Sequence, residues 1–166
     1  RAVALQKYTN FVKTGKTNWI YLNGGPGTGR SYMAAVLAVD AARRNLGPIC
    51  YINCSKRINE LKDIQYKKTD EFNSIIEKYS NVPILVMDDF GNEFKNDFIR
   101  DAIVFQILSN RMSKRLFTII TSDFNIEEIE TLYTTNKAGE IRAKQIGRIL
   151  RSAADQEINL GDLSIY

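Results

Sequence analysis

The chain has 166 residues, 44% of them hydrophobic and 25% charged, with 23 Lys and Arg against 19 Asp and Glu for a formal net charge of +4. That is an ordinary globular composition, sized for one domain, and its mild basicity permits a polyanionic partner without demanding one. With no His and only two Cys, His-based catalysis, a four-ligand zinc site and a disulfide scaffold are all excluded. The longest apolar runs, residues 82–87 and 117–120, are strand-sized and fall well short of the ~18 residues of a membrane span. Cys50 and Cys54 are expected to be buried, reduced thiols of a cytoplasmic protein. No apolar signal-peptide core follows Arg1, and the missing initiator Met predicts a fragment with a further segment in front of it.

Strand and helix patterns alternate along the chain. Residues 19–23 read as a short strand ending in a glycine cluster, and residues 31–44 as a helix with Met33, Val36, Leu37 and Ala41 at helical spacing. Gly47-Pro48 stops it. Residues 49–53 form the next strand, 55–64 a helix with Ile58, Leu61 and Ile64 on one side, and 71–79 a second helix after a polar stretch. Residues 84–87 are an unbroken apolar strand of the kind covered on both faces in a parallel sheet, and they end in Asp88-Asp89. A helix over 97–112, a strand over 117–122 and helices over 125–133 and 138–154 complete the pattern. The fold class is therefore α/β with a mainly parallel sheet, and ligands of such sheets gather at the carboxyl ends of the strands. Asn23, Met87 and Ile120 mark those ends.

The first of them runs into Gly24-Gly25-Pro26-Gly27-Thr28-Gly29-Arg30-Ser31, which has the spacing of a phosphate-binding loop with Arg30 in the lysine position. Glycines let the backbone curl around phosphate oxygens and point its N–H groups inward, and the following helix adds its positive dipole end. A glycine turn that binds nothing is the alternative. Gly25, Pro26, Gly27, Thr28, Gly29, Arg30, Ser31 and Tyr32 are the candidate nucleotide-binding residues. Ser31 would offer its hydroxyl to Mg²⁺. Arginine keeps the charge of lysine but is wider and planar, so correct placement of a third phosphate is in question. At the second strand end, Asp88 would hold Mg²⁺ and Asp89 would orient an attacking water.

Residues 24–31 followed by Ile84-Leu85-Val86-Met87-Asp88-Asp89-Phe90-Gly91-Asn92-Glu93 resemble the AAA+ ATPases of bacterial replicative helicase loaders, the DnaC/DnaI type, and the IstB-type transposition helpers related to them. Asp88, Asp89, Gly91 and Glu93 match the family's D-D-h-G-x-E element, and Thr121-Ser122-Asp123-Phe124 is similar to its sensor 1 segment, where Asn usually stands in place of Asp123. The resemblance implies a P-loop three-layer sandwich with a five-stranded sheet and without a full C-terminal helical lid. It also implies that residues 1–166 are an ATPase core lacking an N-terminal helicase-interaction region. ATP and Mg²⁺ are the implied ligands. The implied partners are the replicative helicase, single-stranded DNA and a neighbouring AAA+ subunit, with no membrane. Asp89, Asp123 and Arg148 would be the catalytic residues, Arg148 acting in a neighbour's site, with Arg142 and Arg151 in reserve.

An ionised Asp123 can only accept hydrogen bonds and repels phosphate. Arg30 and Asp123 are therefore expected to compensate or contact each other, leaving a site that binds nucleotide and turns it over slowly. Lys56, Arg57, Lys62, Lys67 and Lys68 are the candidate DNA contacts, with Tyr66 the sole interleaved aromatic. Three functions follow: an ATP-dependent helicase loader, an IstB-type transposition helper, and a nucleotide-sensing module with little or no hydrolysis.

Overall fold

The structure, a computed structural model, describes residues 1–161. Helix α1 (Ala2–Thr14) precedes β1 (Ile20–Asn23), followed by α2 (Arg30–Arg43), β2 (Ile49–Asn53), α3 (Cys54–Lys67), α4 (Thr69–Asn81) and β3 (Ile84–Asp88). A π-helical stretch (Ile99–Phe105) runs directly into α5 (Gln106–Ser113), and β4 (Phe117–Ser122), α6 (Ile126–Tyr133), α7 (Glu140–Ala154) and β5 (Glu157–Asn159) complete the described chain. The five strands form one sheet in the order β2-β3-β4-β1-β5, and every neighbouring pair is parallel.

Strand alternation sorts the core into two layers. Ile84 and Val86 of β3, with Ile20 and Leu22 of β1 and Ile119 of β4, face Ala4 and Tyr8 of α1 and Ala34, Leu37 and Ala41 of α2. Leu85, Met87, Tyr21 and Ile120 point the other way, into side chains from α3 to α7 such as Ile58, Phe72, Ile107, Ile129 and Ile146. With helices on both faces, the continuous apolar strands are buried as the sequence requires.

Two elements escape the sequence reading, α1 and β5. Ala4, Tyr8, Phe11 and Val12 give α1 a helical spacing, and its inner side packs on the sheet. β5 has only Ile158 as an apolar anchor, and its strand character comes from pairing with β1, Leu22 opposite Ile158. The polar stretch expected after residue 64 is mostly helix. Asn53 caps α3 by accepting the Lys56 N–H, and α3 continues to Lys67. Cys54 is buried as expected, but Cys50 is half-buried. Burial pushes both thiols above their ordinary pKa, which leaves them poor nucleophiles. Among the described residues no helix is long and apolar enough to cross a membrane.

Candidate functional site

The sheet order places the carboxyl ends of β3, β4 and β1 side by side, and the candidate residues gather there. After Asn23 the chain curls through Gly24, Gly27 and Gly29 at φ of 144°, 79° and 86°, which glycine adopts without strain. At Gly24 there is also no room for a side chain, because an added Cβ would lie 2.8 Å from the Gly161 carbonyl oxygen. The Gly25 N–H is taken by that carbonyl at 3.2 Å, and the Thr28 N–H and hydroxyl both donate to the Gly25 carbonyl. Those two amides therefore hold the loop together and do not face a ligand. The N–H groups of Gly27, Gly29, Arg30, Ser31 and Tyr32 have no acceptor among the described residues. They converge at the start of a 14-residue helix, whose dipole adds partial positive charge. Ser31 and Tyr32 are exposed beside them. Five free donors around one glycine turn fit the oxyanions of a phosphate chain.

Opposite the loop stand the acids. Asp88 is the last residue of β3 and, by the period of two, shares the α2 face with Ile84 and Val86. The Met87–Ile120 register puts Thr121 alongside it, and the Thr121 hydroxyl donates to Asp88 Oδ1 at 2.5 Å. The same hydroxyl oxygen accepts the Asp89 N–H at 3.0 Å. Asp89 itself has φ of 60°, a left-handed conformation that Asp tolerates better than most residues. Two residues on, Gly91 has φ of 95° and packs so tightly that a Cβ would lie 2.7 Å from Ile129 Cδ1. Among the described residues no group of three or more Asp, Glu, Cys or His side chains could hold a metal by itself. A Mg²⁺ ion at Ser31 and Asp88 would thus depend on phosphate oxygens for its remaining ligands, as Mg²⁺ commonly does.

The Arg30 side chain is engaged by groups of the chain itself. Its Nη1 donates to the carbonyls of Gly24 and Ser122, and its Nη2 forms an ion pair with Asp123 Oδ1. The contact between the two unusual residues is therefore present, and the guanidinium bridges the first residue of the loop and the end of β4. Asn92, to which sequence reasoning assigned no role, links the acids. Its Nδ2 donates to Asp89 Oδ1 at 2.6 Å and to Asp123 Oδ2 at 2.7 Å. Partial burial raises the Asp123 pKa, but the hydrogen bonds from Asn92 and Arg30 and the guanidinium's charge outweigh it, so the carboxyl lies below its ordinary range. Thr121 and Asn92 were within the quoted motifs, yet their role depends on β3 lying next to β4.

The family model of the IstB-like ATP binding proteins matches residues 1–151. The chain belongs to this family. A curated relative, the replicative helicase loader DnaI of Bacillus subtilis (strain 168), is 29% identical over 155 residues, which are 90% of this chain and 49% of the relative. The chain thus spans about half the length of that relative. A crystal structure of DnaI superposes with a TM-score of 0.85 at 28% identity, covering 96% of this chain and 84% of that one. The crystal structure of the DnaC helicase loader shares the fold, with a TM-score of 0.70 at 20% identity over 98% of this chain and 89% of that one. The domain is accordingly an IstB-like AAA+ ATP-binding domain with the fold of DnaI.

In this IstB-like domain, α7 separates the three candidate arginines. Arg151 is paired with Glu130 at 2.6 Å. Arg142 lies over the Phe105 ring at 3.9 Å and within 3.5 Å of Asp101. Arg148 is exposed and has no ion pair among the described residues. The candidate DNA contacts are diluted by neighbours. Arg57 donates to the Tyr79 hydroxyl and Glu60, Lys62 sits 5.2 Å over Phe94, and Lys68 pairs with Glu71. Lys56, Tyr66 and Lys67 are exposed on α3.

Proposed function

We propose that this domain binds an adenine nucleotide with Mg²⁺ and is the ATPase module of a loader that places a replicative helicase on single-stranded DNA. The observation that carries the reading is the cluster of five amides without partners among the described residues at the start of α2, joined to Asp89 through Arg30, Asp123 and Asn92, in a chain related to a protein named as a helicase loader. In this reading the amides of Gly27 to Tyr32 without internal partners hold phosphates, and Ser31 and Asp88 serve Mg²⁺. Asp89, held in place by Thr121 and Asn92, directs the attacking water. Arg148, exposed and unpaired among the described residues, completes the site of a neighbouring subunit, a role worth ~10³–10⁵ in rate where such arginines act.

The pairing of Arg30 with Asp123 favours a second reading, a nucleotide-sensing module with little turnover. Titration with a fluorescent ATP analogue in Mg²⁺, with phosphate release followed in the same samples, separates the two. Binding with release that rises on self-association supports the loader motor. Binding without release, at any protein concentration, supports the sensor. We expect Ser31→Ala to weaken Mg²⁺-dependent binding about tenfold, the effect of losing one metal ligand on a charged contact of ~1.4 kcal/mol. Co-sedimentation with the replicative helicase and with single-stranded DNA tests the partners. A full-length protein carrying this domain that associates with neither overturns the loader reading.

A further inference from the structure

Asp123, Arg30 and Asn92 leave the two ends of a bound phosphate chain in different surroundings. The free amides of the loop lie at the start of α2 and serve the first phosphates reached. Toward the strand ends stand Asp88, Asp89 and Asp123, and the hydrogen bonds that Arg30 and Asn92 make there all go to groups of the chain itself. Both Arg30 Nη1 hydrogens are directed at carbonyls, of Gly24 and Ser122, and Nη2 is engaged by Asp123. Both hydrogens of Asn92 Nδ2 go to carboxylates. Lys95, the other cation near Asp89, donates to the Gly91 carbonyl and is half-buried. An ionised carboxylate has no proton to offer, so Asp123 cannot replace the amide donor that would welcome a third phosphate. Its charge is balanced by Arg30, which in turn leaves Arg30 with little net field to attract that phosphate.

On the nucleotide-binding reading above, we propose that the site prefers a nucleoside diphosphate over the triphosphate, because the Arg30–Asp123–Asn92 cluster withholds donors from the third phosphate. The preference lies in the pair and not in the loop. Breaking the pair with Asp123→Asn removes one negative charge, frees the guanidinium and supplies an amide donor at the same place. The triphosphate gains from all three, and the diphosphate from little.

Isothermal titration of the protein with ADP and with a non-hydrolysable ATP analogue, each in Mg²⁺, tests this without relying on turnover. For the unmodified protein we expect ADP to bind about tenfold more tightly, and for Asp123→Asn the analogue to tighten about tenfold while ADP changes less than about threefold. An analogue that binds the unmodified protein as tightly as ADP overturns the inference and leaves the nucleotide reading standing. An ADP preference that Asp123→Asn does not change overturns it too. Failure of the unmodified protein to bind either nucleotide at millimolar concentration overturns the nucleotide reading, and this inference with it. The unmodified protein's preference needs no variant, so a misfolded Asp123→Asn would not rescue the proposal.

Discussion

Glu93 is 1% exposed, and its carboxyl holds the turn that carries Asp89 and Asn92. Oε2 accepts the Gly91 N–H at 2.9 Å, and Oε1 accepts the Tyr133 hydroxyl from α6. Burial pushes its pKa up to about 7, against the pull of backbone N–H donors and of Lys95, while Asp89 adds to the rise. A raised folded-state pKa means the neutral form is favoured on folding. Its contribution to stability is complete below about pH 4.5 and is lost as pH rises through about 7. Glu93→Gln carries no charge at any pH and cannot lose that contribution. Urea unfolding of both proteins at pH 5 and pH 8 should show the unmodified protein losing on the order of 3 kcal/mol relative to the variant, an upper figure at ~1.4 kcal/mol per pKa unit. Equal pH dependence of the two proteins would show that Glu93 is solvated in solution.

At the scale of elements, Arg111 of α5 ties together parts that share no sequence neighbourhood. It is fully buried, and its guanidinium donates to the carbonyls of Tyr79 and Val82 at the end of α4, to the Phe117 carbonyl at the start of β4, and to the Thr118 hydroxyl. Burial lowers its pKa to about 10, which still leaves it charged at neutral pH. Four acceptors around one fork-shaped cation make a junction between a helix end and a strand start that an apolar side chain cannot supply. Arg111→Met fills similar space but strands those acceptors, and we expect a loss of ~2–4 kcal/mol by denaturant midpoint, reduced because the cost of burying a charge is also removed. Arg111→Lys should fall between the two. The helix and the strand were each legible from periodicity. The arginine was not, because an isolated Arg at position 111 reads as solvent-exposed until α4 and β4 are known to close over it.

On the scale of the whole molecule, the parallel order β2-β3-β4-β1-β5 is what converts separate motifs into a site, since β1 must lie beside β4 for Arg30 to reach Asp123. The exposed Arg148 lies outside this cluster and has no role in its geometry. Arg148→Ala should therefore leave nucleotide affinity within about twofold and abolish any rise in phosphate release with protein concentration, as a residue acting across an interface requires. A matching loss of affinity in dilute protein would assign Arg148 to its own subunit instead. Periodicity and glycine spacing in the sequence alone determined the four longer strands, the phosphate-type loop and the acids after β3. These depend on the preferences of contiguous residues and on the alternation that burial imposes. The tertiary structure alone decided that the Gly25 amide is occupied, that Asn92 joins two carboxylates, that Ile158 completes the sheet, and that Glu93 and Arg111 are buried. Hydrogen bonds and desolvation act over a few ångströms, and they select partners that are neighbours in space across 93 residues of chain, as between Arg30 and Asp123.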